Sequence, residues 1–386
     1  MFSRIRYLVI GAGISGIVIA ERIANDLKEN VLLIEKRDHI GGACYDYLSE
    51  EGILIQRYGP HIFHTNYDVV YEYLSRFTDW IPYEHKVLAN IEGKRVPIPF
   101  NFRSIDLLFP GYLAERIKEK LVLRYGYDKR VTILELMRSD DEEIKLLANF
   151  VYSKVFLNYS KKQWGRDPEK LDPEILSRVP VYVGYDDRYF YDKYQLMPKE
   201  GFTKMFERML LSRNIKLLLN TDYKELIKVD LENNKILLDD EEFRGTLIVT
   251  GMIDEFFNYK FGKLEYRSLR FKLDKIDREY FQEVAVINYP NEFDFTRITE
   301  FKHFYNKKSE KTYILYEYPL EYDGTNDPYY PILDLKNKEI YERYSQEAKR
   351  FKNLYFLGRL AEHKYKNMDV AVLDALKLYN EKLRNY

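Results

Sequence analysis

Tyr7-Leu8-Val9-Ile10-Gly11-Ala12-Gly13-Ile14-Ser15-Gly16 decides the fold of this chain. Four consecutive apolar residues are the pattern of a strand buried on both faces. Gly11 then permits a tight turn, Gly13 lets the backbone approach a pyrophosphate, and Gly16 lets a helix pack against the strand. A helical stretch runs on to about Lys28, and Val31-Leu32-Leu33-Ile34 reads as a second buried strand. This β-turn-α-β unit predicts a dinucleotide site, with the helix start at Ser15 offering free N–H groups and partial positive charge to a pyrophosphate. Glu35 ends the second strand, placed to accept hydrogen bonds from an adenosine ribose. The bland alternative is a plain α/β turn with a surface glutamate.

Further along, Leu247-Ile248-Val249-Thr250-Gly251 is another apolar strand ending in glycine. Asn353-Leu354-Tyr355-Phe356-Leu357-Gly358-Arg359 is a further strand and turn, followed by a helix from about Met368 to Lys382. The expected class is α/β, a Rossmann-like domain that is discontinuous in sequence and built from residues 1–82, 195–262 and 331–386. Between Phe102 and Asn158, residues such as Ile105, Leu113, Ile117, Leu121 and Leu136 recur at helical spacing among many charges. They predict an inserted helical domain over 100–177. Short aromatic and β-branched runs predict an antiparallel sheet domain from 83–99, 178–194 and 263–330. The Pro-, Asp- and Tyr-rich stretch from Asp323 to Asp334 reads as an ordered loop at a domain edge.

At 386 residues the chain exceeds a single hydrophobic core. Its formal net charge of -1 argues against nucleic acid as the main partner. The N-terminus carries no secretory pattern, and no apolar run is long enough to span a membrane. Cys44 is the single cysteine, so no intramolecular disulfide can form. These features together predict a soluble protein of the cytoplasm. The 36 Tyr and 23 Phe fit either a large aromatic core or tyrosine hydroxyls lining a polar cleft.

After Glu35 come Lys36-Arg37-Asp38-His39-Ile40-Gly41-Gly42-Ala43. An acidic residue, a short spacer and paired glycines resembles the FAD-binding pattern of flavoprotein oxidases and mutases. The residues alone leave NAD and FAD both open; the resemblance points to FAD. Further blocks narrow it. Tyr58-Gly59-Pro60-His61-Ile62-Phe63-His64-Thr65-Asn66, Lys162-Gln163-Trp164-Gly165-Arg166, Leu264-Glu265-Tyr266-Arg267-Ser268-Leu269, Thr296-Arg297-Ile298, Glu317-Tyr318-Pro319-Leu320-Glu321 and Gly358-Arg359-Leu360-Ala361-Glu362 resemble, in order, blocks of the bacterial UDP-galactopyranose mutases. The resemblance covers nearly the whole chain.

That resemblance implies an isomerase that interconverts UDP-galactopyranose and UDP-galactofuranose without net redox change, for cell-surface galactofuranose glycans. It implies FAD that is active when reduced by NADH or NADPH, a flavin N5–sugar adduct as intermediate, and a homodimer. Cofactor contacts carry over to Gly11, Gly13, Ser15, Gly16, Glu35, Lys36, Gly42, Ala43, His61, Gly358, Arg359 and Met368. Arg178 and Arg297 carry over to the leaving diphosphate, a task suited to their permanent charge and forked donors. With them, Phe156, Tyr159, Trp164, Tyr189, Arg267, Glu317, Tyr330, Tyr365 and Asn367 carry over to substrate. His61 and His64 are assigned to the flavin environment and not to a metal. Trp164, flanked by Lys, Gln and Gly165, reads as a partly exposed loop residue that closes over the nucleotide. Asn367, His85 and Val155 depart from the family pattern at the sugar, flavin and uracil contacts. Galactose, N-acetylgalactosamine and arabinose are not told apart. The competing readings are an amine oxidase of the same fold, for which Arg178, Arg297 and Trp164 together have no task, and a UDP-sugar-binding protein without catalysis.

Overall fold

A computed structural model of the protein describes residues 5–166 and 180–384. Five short strands form a parallel sheet in the order Ile215–Leu218, Val31–Ile34, Tyr7–Ile10, Thr246–Val249 and Leu354–Phe356. Their alternate residues divide between two apolar clusters. Tyr7, Val9, Val31, Leu33 and Ile248 face one side, while Leu8, Ile10, Leu32, Ile34, Leu247 and Val249 face the other. Burial on both faces explains why these strands read as unbroken apolar runs. The helix Ile14–Arg22 packs against Met368–Leu378 on the first side, so the C-terminus completes the N-terminal domain.

A second sheet has seven strands, in the order Tyr330–Pro331, Tyr266–Ile276, Thr312–Glu321, Arg297–Glu300, Val286–Asn288, Val87–Ile91 and Lys94–Ile98. It is antiparallel except where Val286–Asn288 runs parallel to Val87–Ile91, a departure from the all-antiparallel expectation. The described part of the stretch expected at 178–194 also departs: Val181–Val183 lies outside this sheet and pairs with Lys129–Val131. Tyr194–Pro198 joins Phe63–Thr65 and Trp80–Pro82 instead. The aromatic content of that stretch serves packing beside the histidine loop rather than a place in the large sheet.

Helices Phe102–Leu108, Gly111–Tyr125, Ile133–Met137 and Glu142–Val151 form the helical region. The last continues through a widened turn, Tyr152–Leu157, into Asn158–Trp164, which lies against the large sheet. Ile117, Leu121, Leu136, Ile144 and Leu147 are fully buried, as their spacing predicts. Among the described residues, no helix is long and apolar enough to cross a membrane.

Candidate active site

The first cleft opens at the carboxyl ends of Tyr7–Ile10, Val31–Ile34 and Thr246–Val249, where a doubly wound sheet receives its ligand. Gly11 has φ +97°, and a Cβ there would lie 2.1 Å from the Thr250 hydroxyl. A Cβ on Gly16 would lie 1.9 Å from the Gly11 carbonyl oxygen, so the helix approaches the strand as only glycine allows. Gly13 bridges Gly41, and the Gly41 N–H donates to the Ala12 carbonyl at 2.8 Å. A Cβ on Gly42 would sit 3.0 Å from the Gly13 Cα. Two glycine turns thus meet backbone to backbone and form a bare cradle at the N-terminus of Ile14–Arg22, the construction a pyrophosphate requires.

Glu35 is buried. Its carboxylate accepts from the Ala12 N–H at 2.8 Å and the Arg37 N–H at 3.0 Å, and it also borders the cleft. It therefore pins the glycine turn while keeping lone pairs for a ribose. Ser15, Lys36, Ala43, His61, Gly358, Arg359 and Met368 all line the same cleft. The loop from Asp323 to Asp334 reaches it through Pro328 and Tyr329, held by an Arg37–Asp327 ion pair at 2.9 Å. Arg37 also lies over the Tyr58 ring at 4.7 Å, a contact that sequence reading missed.

His61 closes the far end. The Gln56 side chain brackets its backbone, accepting from the His61 N–H at 2.6 Å and donating to its carbonyl at 2.8 Å. Burial pulls the imidazole down to about 4, so the ring is neutral near pH 7.

Arg359 links this cleft to a second cavity. Its guanidinium donates to the Lys366 carbonyl at 2.7 Å and the Tyr329 carbonyl at 3.3 Å, and lies 5.4 and 4.9 Å from the ring centres of Tyr330 and Tyr365. Those two rings are stacked on each other, and both line the second cavity.

Phe156, Tyr159, Trp164, Tyr189 and Arg297 complete that cavity together with Ala89, Ile98, Val155, Ser160, Gln163, Asn288 and Pro290. Arg297 donates to the Tyr159 hydroxyl at 3.0 Å and faces Glu317 at 3.4 Å from its directly opposed strand position. Burial works against the Arg297 charge, but Glu317 and the surrounding tyrosines keep the guanidinium firmly protonated. Its Nε has no hydrogen-bond partner. That Nε is the atom turned toward Glu317, while Nη2 meets Tyr159; a buried, charged guanidinium lining a cavity is a ready anion site. Asn288 and Gln163, each with a buried side-chain oxygen lacking a partner, are site candidates that sequence reading missed.

Trp164 corrects the expectation of a partly exposed loop. It is buried at the end of a helix, edge-on to Tyr330 at 6.0 Å and beside Tyr365 at 6.3 Å. The two tyrosine rings supply the apolar contact that outweighs the polar neighbours in sequence.

Four other sequence candidates lie away from the second cavity. Arg267 points to the C-terminal end of Asn158–Trp164, donating to the Gln163 carbonyl at 3.0 Å and the Lys162 carbonyl at 3.2 Å. Glu317 stands behind Arg297. His64 pairs with Asp192 at 2.9 Å and stacks on Phe190. Asn367 is exposed at the mouth of the first cleft. Arg178 falls outside the described residues. Of the departures, Val155 lines the second cavity, whereas His85 is buried among Tyr83, Tyr189, Phe190 and Phe304. Among the described residues, no cluster of three or more His, Cys, Asp or Glu is arranged to hold a metal.

A family profile for UDP-galactopyranose mutase matches residues 154–365, and one for NAD(P)-binding Rossmann-like domains matches residues 9–77. The chain is similar to a dTDP-fucopyranose mutase of Escherichia coli, 33% identical over 98% of this chain and 99% of that one. It is 35% identical to a UDP-galactopyranose mutase of Mycoplasma genitalium, covering 96% of this chain and 93% of the other. A probable UDP-galactopyranose mutase of Klebsiella pneumoniae is 33% identical over 97% and 94% of the two chains. Among solved structures, reduced UDP-galactopyranose mutase superposes with a TM-score of 0.73 at 17% identity, covering 99% of this chain and 94% of that one. A putative protoporphyrinogen oxidase from Exiguobacterium sp. 255-15 follows at 0.62 and 13%, covering both chains fully, which shows how widely the fold is shared.

Proposed function

The chain belongs to the UDP-galactopyranose mutase family, and from that premise we propose that it interconverts UDP-galactopyranose and UDP-galactofuranose. FAD occupies the first cleft and the nucleotide sugar enters the second cavity. One observation carries this reading: the two spaces are separated only by the Arg359 guanidinium and the tyrosine rings it overlies. Arg359 borders the first cleft, while Tyr330 and Tyr365, whose rings it overlies, border the second. A cofactor ring in one and a sugar reaching from the other would meet there.

The glycine cradle and Glu35 would hold the adenosine diphosphate half of FAD, and His61, Gly358, Arg359 and Met368, which line the same cleft, would contact its isoalloxazine end. When bound and reduced, by NADH or NADPH, the flavin supplies an electron-rich nitrogen able to attack an anomeric carbon. The protein's own residues do the rest. Arg297, joined by Arg178, stabilises the diphosphate charge that grows as the bond from C1 to the nucleotide breaks. Tyr159, held by Arg297, and Tyr189, Tyr330 and Tyr365 present hydroxyls toward phosphate. Trp164 and its helix shut the cavity against water, which protects the sugar from hydrolysis while UDP is detached. His61, neutral at pH 7, shapes the wall without carrying charge. The enzyme acts as a cytoplasmic homodimer that feeds cell-surface galactofuranose glycans.

The direct test is chromatography of UDP-galactofuranose incubated with dithionite-reduced enzyme. The expected product is UDP-galactopyranose, with no reductant consumed per turnover. Equal turnover by fully oxidised enzyme would overturn the proposal. Arg178→Ala and Arg297→Ala should each keep FAD and lose about 10²–10³-fold in turnover; near-normal kinetics in both would remove the diphosphate assignment.

A further inference from the structure

The turn after Leu354–Phe356 is braced from behind by three charged side chains that the proposed reaction does not use. Gly358, with φ +101°, approaches the start of Ile14–Arg22 so closely that a Cβ there would lie 3.0 Å from Ser15 Oγ. Its N–H donates to Glu362 Oε2 at 2.7 Å. The Lys366 ammonium donates to that same oxygen and, at 2.6 Å, to Asp374 Oδ2 on the helix Met368–Leu378. The Lys366 main-chain carbonyl accepts from the Arg359 guanidinium at 2.7 Å. One residue therefore holds the glycine turn through its side chain and the neighbouring arginine through its backbone.

The direction of the ammonium matters. Lys366 borders both the first cleft and a separate cavity that Glu362 and Asp374 also line, and neither carboxylate lines the first cleft. The charge is thus engaged behind the cleft wall rather than offered to a ligand. The Lys366 side chain is 7% exposed, against 21% for Glu362 and 29% for Asp374. Exposed ion pairs contribute little, but burial of the shared ammonium leaves its two attractions poorly screened. The carboxylate it holds makes a charge-assisted bond to the Gly358 N–H, and such bonds are short and strong. Without the ammonium, repulsion between the two carboxylates would draw Glu362 off that N–H.

We propose that Lys366 is a positioning residue for the cofactor. By drawing Glu362 onto the Gly358 N–H and tying both to the helix Met368–Leu378, it sets the width of the cleft between Gly358 and Ser15. Met368, the first residue of that helix, lines the same cleft, so the brace locks two of its walls to each other. This rests on FAD occupying the first cleft.

The experiment follows FAD dissociation from the holoenzyme by the rise in free-flavin fluorescence. It compares wild type with Lys366→Met, Glu362→Ala, Asp374→Asn and the double variant of the first two. FAD is anionic, so a field effect alone would make loss of the lysine speed release and loss of either carboxylate slow it. Positioning predicts one direction for all. Lys366→Met and Glu362→Ala should each release FAD about tenfold faster, and Asp374→Asn, the mildest change, about threefold faster. The double variant should exceed the faster single variant by less than about twofold, because the two residues act through one bond. The UDP affinity of FAD-saturated enzyme, measured by calorimetry, should stay within about threefold of wild type in every variant. Slower or unchanged release in Glu362→Ala and Asp374→Asn overturns the inference, as do multiplied effects in the double variant. Equal losses of FAD and UDP binding would mean general loosening and overturn it too. Wild type that retains no flavin overturns it together with the reading of the first cleft.

Discussion

Arg297 shows how much of the proposed chemistry turns on one side chain. Strand pairing places it between Asn288 on one side and Glu317 on the other, so its guanidinium enters a cavity already compensated by a buried carboxylate. Burial, the largest influence on Glu317, pushes that carboxyl upward while Arg297 draws it down. The forked donors matter as much as the charge, since a diphosphate presents oxygens in a plane that a guanidinium can match and an ammonium cannot. Arg297→Lys should therefore retain FAD, by its 450 nm-region absorbance, but lose about tenfold to a hundredfold in kcat under saturating substrate. Unchanged kcat would show that a point charge suffices. At this scale legibility varied with how local the constraint is. The glycines and Glu35 were readable because turn, cradle and helix start are consecutive in sequence. Gln163 and Asn288 were not, because an unpartnered oxygen is a property of the folded cavity. Arg267 and His64 sit in blocks that resemble family motifs, but a block does not say which face of a strand or loop a side chain takes.

The helix Asn158–Trp164 carries Tyr159, Gln163 and Trp164 and ends at Gly165, whose φ is +64°. Helix ends leave carbonyls unpaired, and here Arg267 from the large sheet takes two of them. The fit is tight, since a Cβ on Gly165 would lie 2.6 Å from Arg267 Nη1. Arg166 adds an ion pair to Asp334 at 3.1 Å and another to Glu265. The helix that walls the second cavity is thus fastened at its C-terminal end to the strand that begins at Tyr266. Arg267→Ala frees two buried carbonyls and should weaken UDP binding about tenfold while leaving FAD affinity within about twofold. Titration calorimetry beside a flavin titration measures both, and parallel losses would mean general unfolding instead. Elements with a strong period, such as the buried strands and the helices from Phe102 onward, were visible in sequence. The path of 180–194 was not, because short aromatic runs pair with whichever edge tertiary packing offers, here Lys129–Val131.

At the scale of the whole molecule, two sheets and a helical region converge on one wall, and burying that much polar chemistry sets a pH limit on stability. His85 and His363 are buried, and desolvation lowers their imidazoles to about 3 and about 4. For His85 the nearby Arg297 charge and His64 push the same way. The folded state therefore holds both rings neutral down to acidic pH, while the unfolded chain protonates them near pH 6.5. Below that value the unfolded state binds more protons, so stability is full above about pH 6.5 and is lost as pH falls toward the folded values. Each such ring adds about 1.4 kcal/mol per pH unit to the slope within that window. Asp254 works oppositely. Burial raises its carboxyl to about 6, so the folded state gains protons first and part of the acid loss is offset between about pH 6 and 4. His61, whose imidazole is likewise lowered to about 4, adds to His85 and His363, and the three together outweigh Asp254 and leave a net decline. Urea unfolding should give similar stability at pH 7 and 8 and a clear drop at pH 5. His85→Gln keeps an acceptor for the Tyr83 hydroxyl, now 3.3 Å from the ring nitrogen, and removes one titration. Its unfolding free energy should fall less steeply between pH 6.5 and 5 than that of wild type, by about 1 kcal/mol per unit. Parallel pH profiles for the two proteins would mean that His85 is protonated in the folded state and that the aromatic cage around it admits water.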